Sequence, residues 1–179
     1  MASRWSRSCA WIVAAVLAAC ADPVHSRQVD ELGGEAPGVP EGPLHRPGQP
    51  CVTCHGEYGP ADSEFVFAGT VYQDAMETKP LPDAKVSLVD ANGKTYETGT
   101  NCAGNFFVNK TDYEPLFPVW TTVFFGMQGG QPIPKEMSSP IYREGSCATC
   151  HADPAGNDAA GHVYLSEDPL PLPPSPSCP

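Results

Sequence analysis

The amino-acid sequence predicts a mainly β protein, a small antiparallel β-sandwich with a short Cys-x-x-Cys-His segment on each side and extended termini. Three observations predict this class. Several short stretches alternate residues that suit a half-buried strand, and no long stretch shows the 3.6-residue period of an amphipathic helix. The chain also contains 21 prolines, which favour extended backbone near the two ends because proline fixes φ and donates no hydrogen bond.

The strands are predicted from residue alternation and from the turns between them. Asn92-Gly93 favours a tight turn because both residues tolerate positive φ, so the stretches on either side are predicted to form a hairpin. Residues 101–105 are polar and small, which is typical of a second turn. The predicted strands are 65–72, 84–89, 94–98, 106–108 and 119–125.

The first 19 residues have the features of an export signal. Arg4 and Arg7 give a basic start, and the apolar run at 10–19 is much shorter than the roughly 20 residues that span a bilayer. The run ends in residues 17–20 (LAAC), which resemble the lipobox of bacterial lipoproteins. This resemblance implies that Cys20 is acylated and anchors the protein to the bacterial membrane, facing the periplasm or the cell surface. An ordinary signal peptide is the alternative, and it also predicts export.

The strongest chemical signal is a motif that occurs twice, at 51–55 (CVTCH) and at 147–151 (CATCH). Both copies have the C-x-x-C-H pattern of covalent haem attachment. Two thiols at this spacing can bind one edge of a porphyrin, and the following imidazole can then bind the iron. We therefore predict two haem c groups, with cofactor-binding residues Cys51, Cys54, His55, Cys147, Cys150 and His151, of which the two histidines bind iron.

Other roles for the four motif cysteines fit less well. A four-cysteine zinc site usually has its two cysteine pairs about 15 to 20 residues apart, whereas a whole β region separates these two. A thioredoxin-like dithiol requires a βαβ setting, which neither copy has. Structural disulfides between the copies remain an alternative, because the compartment outside the cytoplasm is oxidising.

The sequence offers few candidates for the sixth iron ligands. His45 lies six residues before Cys51, and His162 lies eleven after the second motif, so each is a candidate ligand of one haem. A solvated loop histidine is the alternative in both cases. His25 lies in the predicted tether and ranks lower, as do Met127 and Met137, for which core packing is the usual role.

Two further cysteines, Cys102 and Cys178, belong to neither motif. In an oxidising compartment they are candidates for a disulfide that ties the proline-rich tail to the β domain. Two unpaired thiols are the alternative.

These features divide the chain into six segments. Low hydrophobicity and many prolines and glycines before the first motif favour a flexible tether, because such a segment buries too little apolar surface to order. The predicted segments are the signal peptide (1–19), the lipid-anchored tether (20–50), the first haem-attachment segment (51–62), the β-sandwich domain (63–143), the second haem-attachment segment (144–166) and the proline-rich tail (167–179).

A family resemblance covers residues 69–108, GTVYQDAMETKPLPDAKVSLVDANGKTYETGTNCAGNFFV. This stretch resembles carboxypeptidase regulatory-like and transthyretin-like domains, which share the order strand, P-L-x-x-A-x-V loop, D-x-N-G turn and T-x-x-x-G-x-F. The resemblance implies a small antiparallel sandwich and no activity. Families with paired C-x-x-C-H motifs around such a domain look similar to this chain, which implies an extracytoplasmic dihaem c-type cytochrome. If the sandwich brings its ends together, the two haems are neighbours.

These predictions favour electron transfer over catalysis, because no nucleophile–base pair, phosphate loop or metal–water motif stands out. One alternative is a haem enzyme with one open axial site, such as a peroxidase or a small-oxide reductase. Another is a surface binding module with secondary haems or disulfide-bonded cysteines. The net charge of −11 argues against nucleic-acid binding and favours redox partner proteins with a basic surface, or simple solubility.

Overall fold

The computed structural model describes residues 22–75, 79–128, 131–152 and 160–167, together with Leu172, Ser175 and Cys178. The chain divides into two compact units, residues 1–33 and residues 34–179. The predicted signal peptide and Cys20 lie outside the described residues. Among the helices that are described, none has the length and apolar character needed to cross a membrane.

The first unit contains one described helix, α1 (Pro23–Glu31). Asp22 precedes it, and its carboxylate accepts hydrogen bonds from the backbone N–H of Val24 at 2.9 Å and of His25 at 3.2 Å. Such a cap satisfies two of the N–H groups that have no partner within a helix, and proline suits the first helical position. The segment that we predicted as a flexible tether therefore contains a helix. The composition of the segment does not predict this helix, because the features that favour it are the Asp22 cap and the proline at its first position.

The second unit is mainly β, as the sequence predicts. Its described strands form two sheets, one of three strands in the order β4-β1-β7 and one of four strands in the order β3-β2-β5-β6. The elements in chain order are α2 (Cys51–His55), β1 (Phe65–Asp74), β2 (Lys85–Val89), β3 (Thr95–Gly99), β4 (Asn105–Asn109), β5 (Trp120–Gln128), β6 (Gln131–Glu136), α3 (Cys147–Cys150) and β7 (Val163–Ser166).

The five predicted strands are confirmed as β1 to β5. The predicted hairpin is β2 and β3, which pair antiparallel from Lys85 opposite Gly99 to Val89 opposite Thr95. Gly93 in its turn has φ +77°, the left-handed conformation that favours glycine. Strand β2 pairs with β5 on its other side and is therefore a central strand of its sheet.

Two strands were not predicted, and one of them corrects the expected pairing. Strand β6 contains Pro132 and Pro134, which argue against a strand in a sequence, but β6 is an edge strand, where proline is tolerated. Strand β7 pairs parallel with β1, with Val71 opposite Val163. The sequence predicted an antiparallel sandwich, whereas this pair, formed with a strand from the predicted second haem-attachment segment, is parallel. A hairpin would place the two strands antiparallel. The connection from β1 to β7 instead includes the intervening strands and the second motif, and β7 runs in the same direction as β1.

One hydrophobic cluster includes residues from both sheets. Phe67 and Val71 of β1 belong to it, and so do Val86 and Leu88 of β2; all four are at most 1% exposed. Since β1 and β2 belong to different sheets, this cluster packs the two sheets together. The pattern follows from strand geometry, in which alternate side chains point to the same face.

A disulfide ties the C-terminal tail to the second unit. Cys102 and Cys178 are bonded with their Cα atoms 5.5 Å apart, which is one of the two alternatives left open by the sequence. Leu172 of the tail packs against the core cluster, and the Ser175 hydroxyl donates a hydrogen bond to the Asp83 carboxylate. The described tail residues thus contact the β domain at three points along the tail.

Candidate functional site

Both C-x-x-C-H motifs lie on short helical turns that contact strand β1. In α2, the Thr53 N–H donates to the Pro50 carbonyl at 2.9 Å. In α3, the His151 N–H donates to the Cys147 carbonyl at 2.8 Å. Residues three apart in a helical turn lie on the same side, so each motif presents its two thiols in one direction.

The second motif packs directly on the middle of β1. The Ala68 N–H donates to the Gly145 carbonyl at 3.0 Å, and Ala68 forms an isolated parallel bridge with Ser146. A Cβ atom on Gly69 would lie 2.7 Å from the Cys147 Cβ and 2.8 Å from its Sγ. Gly69 therefore leaves the space that the first cysteine of this motif occupies.

The chain that leads into the first motif is held by the next residue of the same strand. The Gly48 N–H donates to the Thr70 hydroxyl at 2.7 Å, and that hydroxyl donates to the Asn105 side-chain oxygen, also at 2.7 Å. Asn105 in turn donates to the His45 carbonyl at 2.9 Å. Thr70 and Asn105 are buried, and buried hydrogen-bonded networks fix local geometry.

These contacts bring the first cysteines of the two motifs close together. Burial raises the pKa of the Cys147 thiol to about 12, and the charge of the nearby Cys51 adds to this rise. Burial also raises the pKa of Cys51. Protein surrounds Cys147 on most sides, although part of its surface remains accessible from a cleft. The sequence-based expectation that a β domain brings the two motif regions together therefore agrees with the packing on β1.

The two motif histidines have the same hydrogen-bonding pattern. The His55 Nδ1 donates to the Ser63 carbonyl at 3.0 Å, with the Ser63 hydroxyl also at 3.0 Å. The His151 Nδ1 donates to the Gly161 carbonyl at 2.9 Å. Histidines that bind metals usually donate one ring N–H to a carbonyl or carboxylate, which orients the other nitrogen toward the metal. The Nε2 atom is thus the nitrogen that each ring would use to bind iron.

His45 lies beside the first motif. Its ring centroid is 5.9 Å from that of His55, and its Nδ1 donates to Glu35 Oε1 at 3.2 Å. The same carboxylate oxygen accepts a hydrogen bond of 2.7 Å from the Nε of Arg46. This bond from Arg46 is the largest reason why the pKa of Glu35 is below its ordinary value, and the charges of Arg46 and His45 add to it.

His162 lies in the neighbourhood of the second motif, but its contacts differ. Its Nε2 is 3.2 Å from the Asp74 carbonyl, to which it donates a hydrogen bond. Its ring packs against Tyr72 with centroids 4.6 Å apart and against Tyr164 at 6.0 Å. His25, the lowest-ranked histidine, lies in α1 of the first unit.

A cleft of about 640 Å³ opens beside the second motif. Cofactor and small-molecule sites typically have volumes of roughly 300–1,000 Å³. The side chains that line it include Cys147, Cys150, His151, His162 and Met137. Met137, which the sequence analysis ranked below the histidines, therefore lies on the same cleft as the second motif.

The residues of both motifs fit covalent haem. Cys51, Cys54, Cys147 and Cys150 are free thiols in the structure, whereas Cys102 and Cys178 are paired. Within the described ranges, no three or more His, Cys, Asp or Glu side chains are grouped so that they could hold a bare metal ion. Haem requires fewer protein ligands, because the porphyrin supplies four nitrogens of its own.

Comparison with known proteins adds no relative. No family model, no curated protein and no solved structure matches this chain. The haem prediction therefore depends on the two motifs and on the contacts around them.

Sequence reasoning did not identify several residues that support the site. Glu35 and Ser63 hold the rings of His45 and His55, and Gly69 makes room for Cys147. Glu35 lies ten residues before His45 in a region without periodicity, so no local pattern relates the two. Gly69, by contrast, interrupts a strand pattern, which is a known sign of close approach by another chain segment.

Proposed function

We propose that this chain is an exported, lipid-anchored c-type cytochrome that carries two haems and transfers electrons outside the cytoplasm. One observation carries the proposal: both C-x-x-C-H turns contact β1, the second at residues 68 and 69, while the chain that leads into the first is bonded to Thr70. The motifs themselves are almost a hundred residues apart in the sequence. Haem iron, when bound, accepts and releases one electron at a time. The β domain would then act as a β-sandwich scaffold that keeps two such groups adjacent.

The motif residues have separate roles in this proposal. The four thiols attach the two porphyrins, and the two motif histidines bind the irons through Nε2. The carbonyls of Ser63 and Gly161 hold these rings in place and increase the basicity of the coordinating nitrogen. In these roles none of the groups has to move a proton. An electron relay works without proton transfer, whereas a hydrolytic or group-transfer enzyme requires it.

The remaining features favour work at a membrane surface with protein partners. Cys20 would carry the lipid, and the first unit would connect the anchor to the β domain. The acidic net charge of −11 favours redox partners with a basic surface, since complementary charge speeds encounter. The β domain would serve as a structural or binding module, as the resemblance of residues 69–108 to carboxypeptidase regulatory-like domains implies.

The experiment is a comparison of cysteine-pair variants expressed with the native signal in a host that matures c-type cytochromes. Cys51→Ser/Cys54→Ser and Cys147→Ser/Cys150→Ser should each lose one covalent haem. The matched control Cys102→Ser/Cys178→Ser should keep both. Redox titration of the unmodified protein should show two one-electron steps, and each pair variant should lose one of them. Retention of both steps in either pair variant would contradict the proposal.

A second candidate function is a haem enzyme in which the second haem has an open axial position. The cleft beside His151 favours it, and so does the hydrogen bond that engages the His162 Nε2 with the Asp74 carbonyl. Carbon monoxide binding to the reduced protein discriminates the two functions. Rapid binding at one haem without loss of a protein ligand would support catalysis, whereas two six-coordinate, unreactive haems would support the relay.

A further inference from the structure

We propose that Glu35 positions His45 as the second axial ligand of the haem on the first motif, so that this haem alone is bound by two histidines. The inference rests on the proposed function and adds to it a ligand, a positioning residue and a difference between the two haems. It is carried by the contacts of one short segment, residues 43–49, which lies against the β domain.

The backbone of this segment is fixed before any cofactor is considered. The side-chain amide of Asn105 donates to the carbonyls of His45 at 2.9 Å and of Pro43 at 3.4 Å. Asn101 also donates to the Pro43 carbonyl, at 2.6 Å. Asn105 is only 5% exposed, so its bonds are made away from water. These bonds explain why a segment without regular secondary structure brings a histidine to one place on the domain.

The orientation of the His45 ring is fixed by Glu35. Its carboxylate accepts from the His45 Nδ1 at 3.2 Å and from the Arg46 Nε at 2.7 Å. Arg46 is itself held in place, because its Nη1 donates to the Gln49 side chain at 2.9 Å and its backbone has the uncommon φ of +49°. A carboxylate that accepts from one imidazole nitrogen makes the other nitrogen a better metal ligand. The arrangement thus leaves Nε2 as the coordinating nitrogen of His45.

The distance between the two rings suits a shared iron. Metal–imidazole bonds of about 2.0–2.1 Å, with each ring centre roughly 1 Å behind its nitrogen, place the centroids of two opposite ligands about 6 Å apart. The centroids of His45 and His55 are 5.9 Å apart. Both rings also have their Nδ1 engaged by fixed acceptors, which is the pattern of oriented ligands.

The second motif offers no equivalent arrangement among the described residues. The Nε2 of His162 donates to the Asp74 carbonyl, and the ring packs on two tyrosines. Met137 lines the same cleft as His151. Among the described side chains of this cleft, we therefore expect Met137 or an exchangeable ligand to accompany His151 at the second haem. Two unequal ligand sets give two unequal potentials, because methionine raises the potential relative to histidine.

The test uses the full chain with both haems attached, as established by its denatured mass. Near-infrared magnetic circular dichroism of the oxidised protein should show one bis-histidine haem. His45→Ala should abolish that signal while both haems remain attached, and added imidazole should restore it in His45→Gly. His25→Ala, a matched histidine control in the first unit, should leave the signal unchanged.

The role of Glu35 is tested by competition at the oxidised haem. In Glu35→Gln and Glu35→Ala, the cyanide concentration that displaces His45 should fall about 10–100-fold, the usual effect of losing such a supporting partner. Glu41→Gln, an exposed carboxylate nearby, should leave it unchanged. An intact bis-histidine signal in His45→Ala, or equal cyanide titrations for the Glu35 and Glu41 variants, would overturn the inference. Absence of covalent haem from the unmodified protein would instead overturn the proposed function itself.

Discussion

At the scale of single residues, Gly69 makes room for the second motif, and the carboxylate of Asp90 stabilises the turn between β2 and β3. Gly69 has no Cβ, and the motif cysteine Cys147 fills the space that a Cβ would need. The Asp90 carboxylate accepts hydrogen bonds from the backbone N–H groups of Asn92 and Lys94, in the turn between β2 and β3. It also accepts one from the N–H of Leu116, in the segment before β5. Gly69 interrupts the alternation that predicted β1, which indicates close approach by another segment, but the local pattern does not identify Cys147 as that neighbour.

Substitution of Gly69 should disturb the second motif and spare the first. In Gly69→Val the new side chain would overlap Cys147, and overpacking of this kind costs about 1–3 kcal/mol. We expect a population of protein with a single haem, measured as a second peak in the denatured mass spectrum. Gly99→Ala is the matched control, because a Cβ there has only an ordinary contact of 3.7 Å with the Ala84 carbonyl. Equal haem content in both variants would show that the space at Gly69 is not needed.

Asp90 should make stability depend on pH. Burial alone would raise its pKa, but bonds from the N–H groups of Leu116, Lys94 and Asn92 outweigh burial and lower the pKa. Because the folded pKa lies below the unfolded value of about 3.9, the stabilisation is present above that value and is lost as pH falls through the folded pKa.

The test of this dependence is urea unfolding of Asp90→Asn at pH 7 and at about pH 3. The variant should unfold at lower urea than the unmodified protein at pH 7, and the difference should shrink at the acidic pH. Asp112→Asn, an exposed aspartate, serves as the control. A difference that stays constant across this range would contradict the assigned role of the carboxylate.

At the scale of elements, the sequence predicted those whose pattern is local. Strands β1 to β5 alternate or flank a clear turn, and the paired motifs are recognisable from five residues each. Strand β6 escaped prediction because its prolines are acceptable only at a sheet edge, and β7 because four residues carry too little pattern. The parallel pairing of β7 and the contact between Glu35 and His45 depend on tertiary packing, which no local pattern encodes.

The disulfide is the element-scale link between the tail and the β domain. It joins Cys102, in the turn before β4, to Cys178, at a sequence separation of 76. Cys102→Ser/Cys178→Ser should lower the free energy of unfolding by about 2–4 kcal/mol, because the bond restricts the unfolded chain. The measurement is chemical denaturation without reductant. Haem content should be unchanged, and an unaltered midpoint would contradict a stabilising role.

At the scale of the whole molecule, two segments that are distant in sequence contact the same strand, β1. Residues 43–55 precede β1 in the sequence and residues 145–151 follow it, and both segments contact it. The sheet of β2, β3, β5 and β6 packs against the sheet that contains β1. Neighbouring residues of β1 therefore hold the second motif and the chain that leads into the first, although the two motifs lie on either side of the β region in the sequence.

The predicted anchor gives a test at this scale. Cys20→Ser should shift the protein from the membrane fraction to the soluble exported fraction, because a single cysteine carries the acyl chains that hold such proteins at a bilayer. Fractionation of cells that express each form, followed by detection of covalent haem, measures the shift. Cys102→Ser/Cys178→Ser should stay with the membrane. Membrane retention of Cys20→Ser equal to that of the unmodified chain would contradict lipid anchoring.

The measurement that tests the central claim most directly is the denatured mass of the mature protein from a host that matures c-type cytochromes, recorded with its absorption spectrum. We predict a mass increase of two covalently bound haems and the narrow reduced bands of low-spin c-type haem. A mass without haem, with the four motif cysteines as thiols or disulfides, would contradict the claim and leave the β domain as a module of another kind.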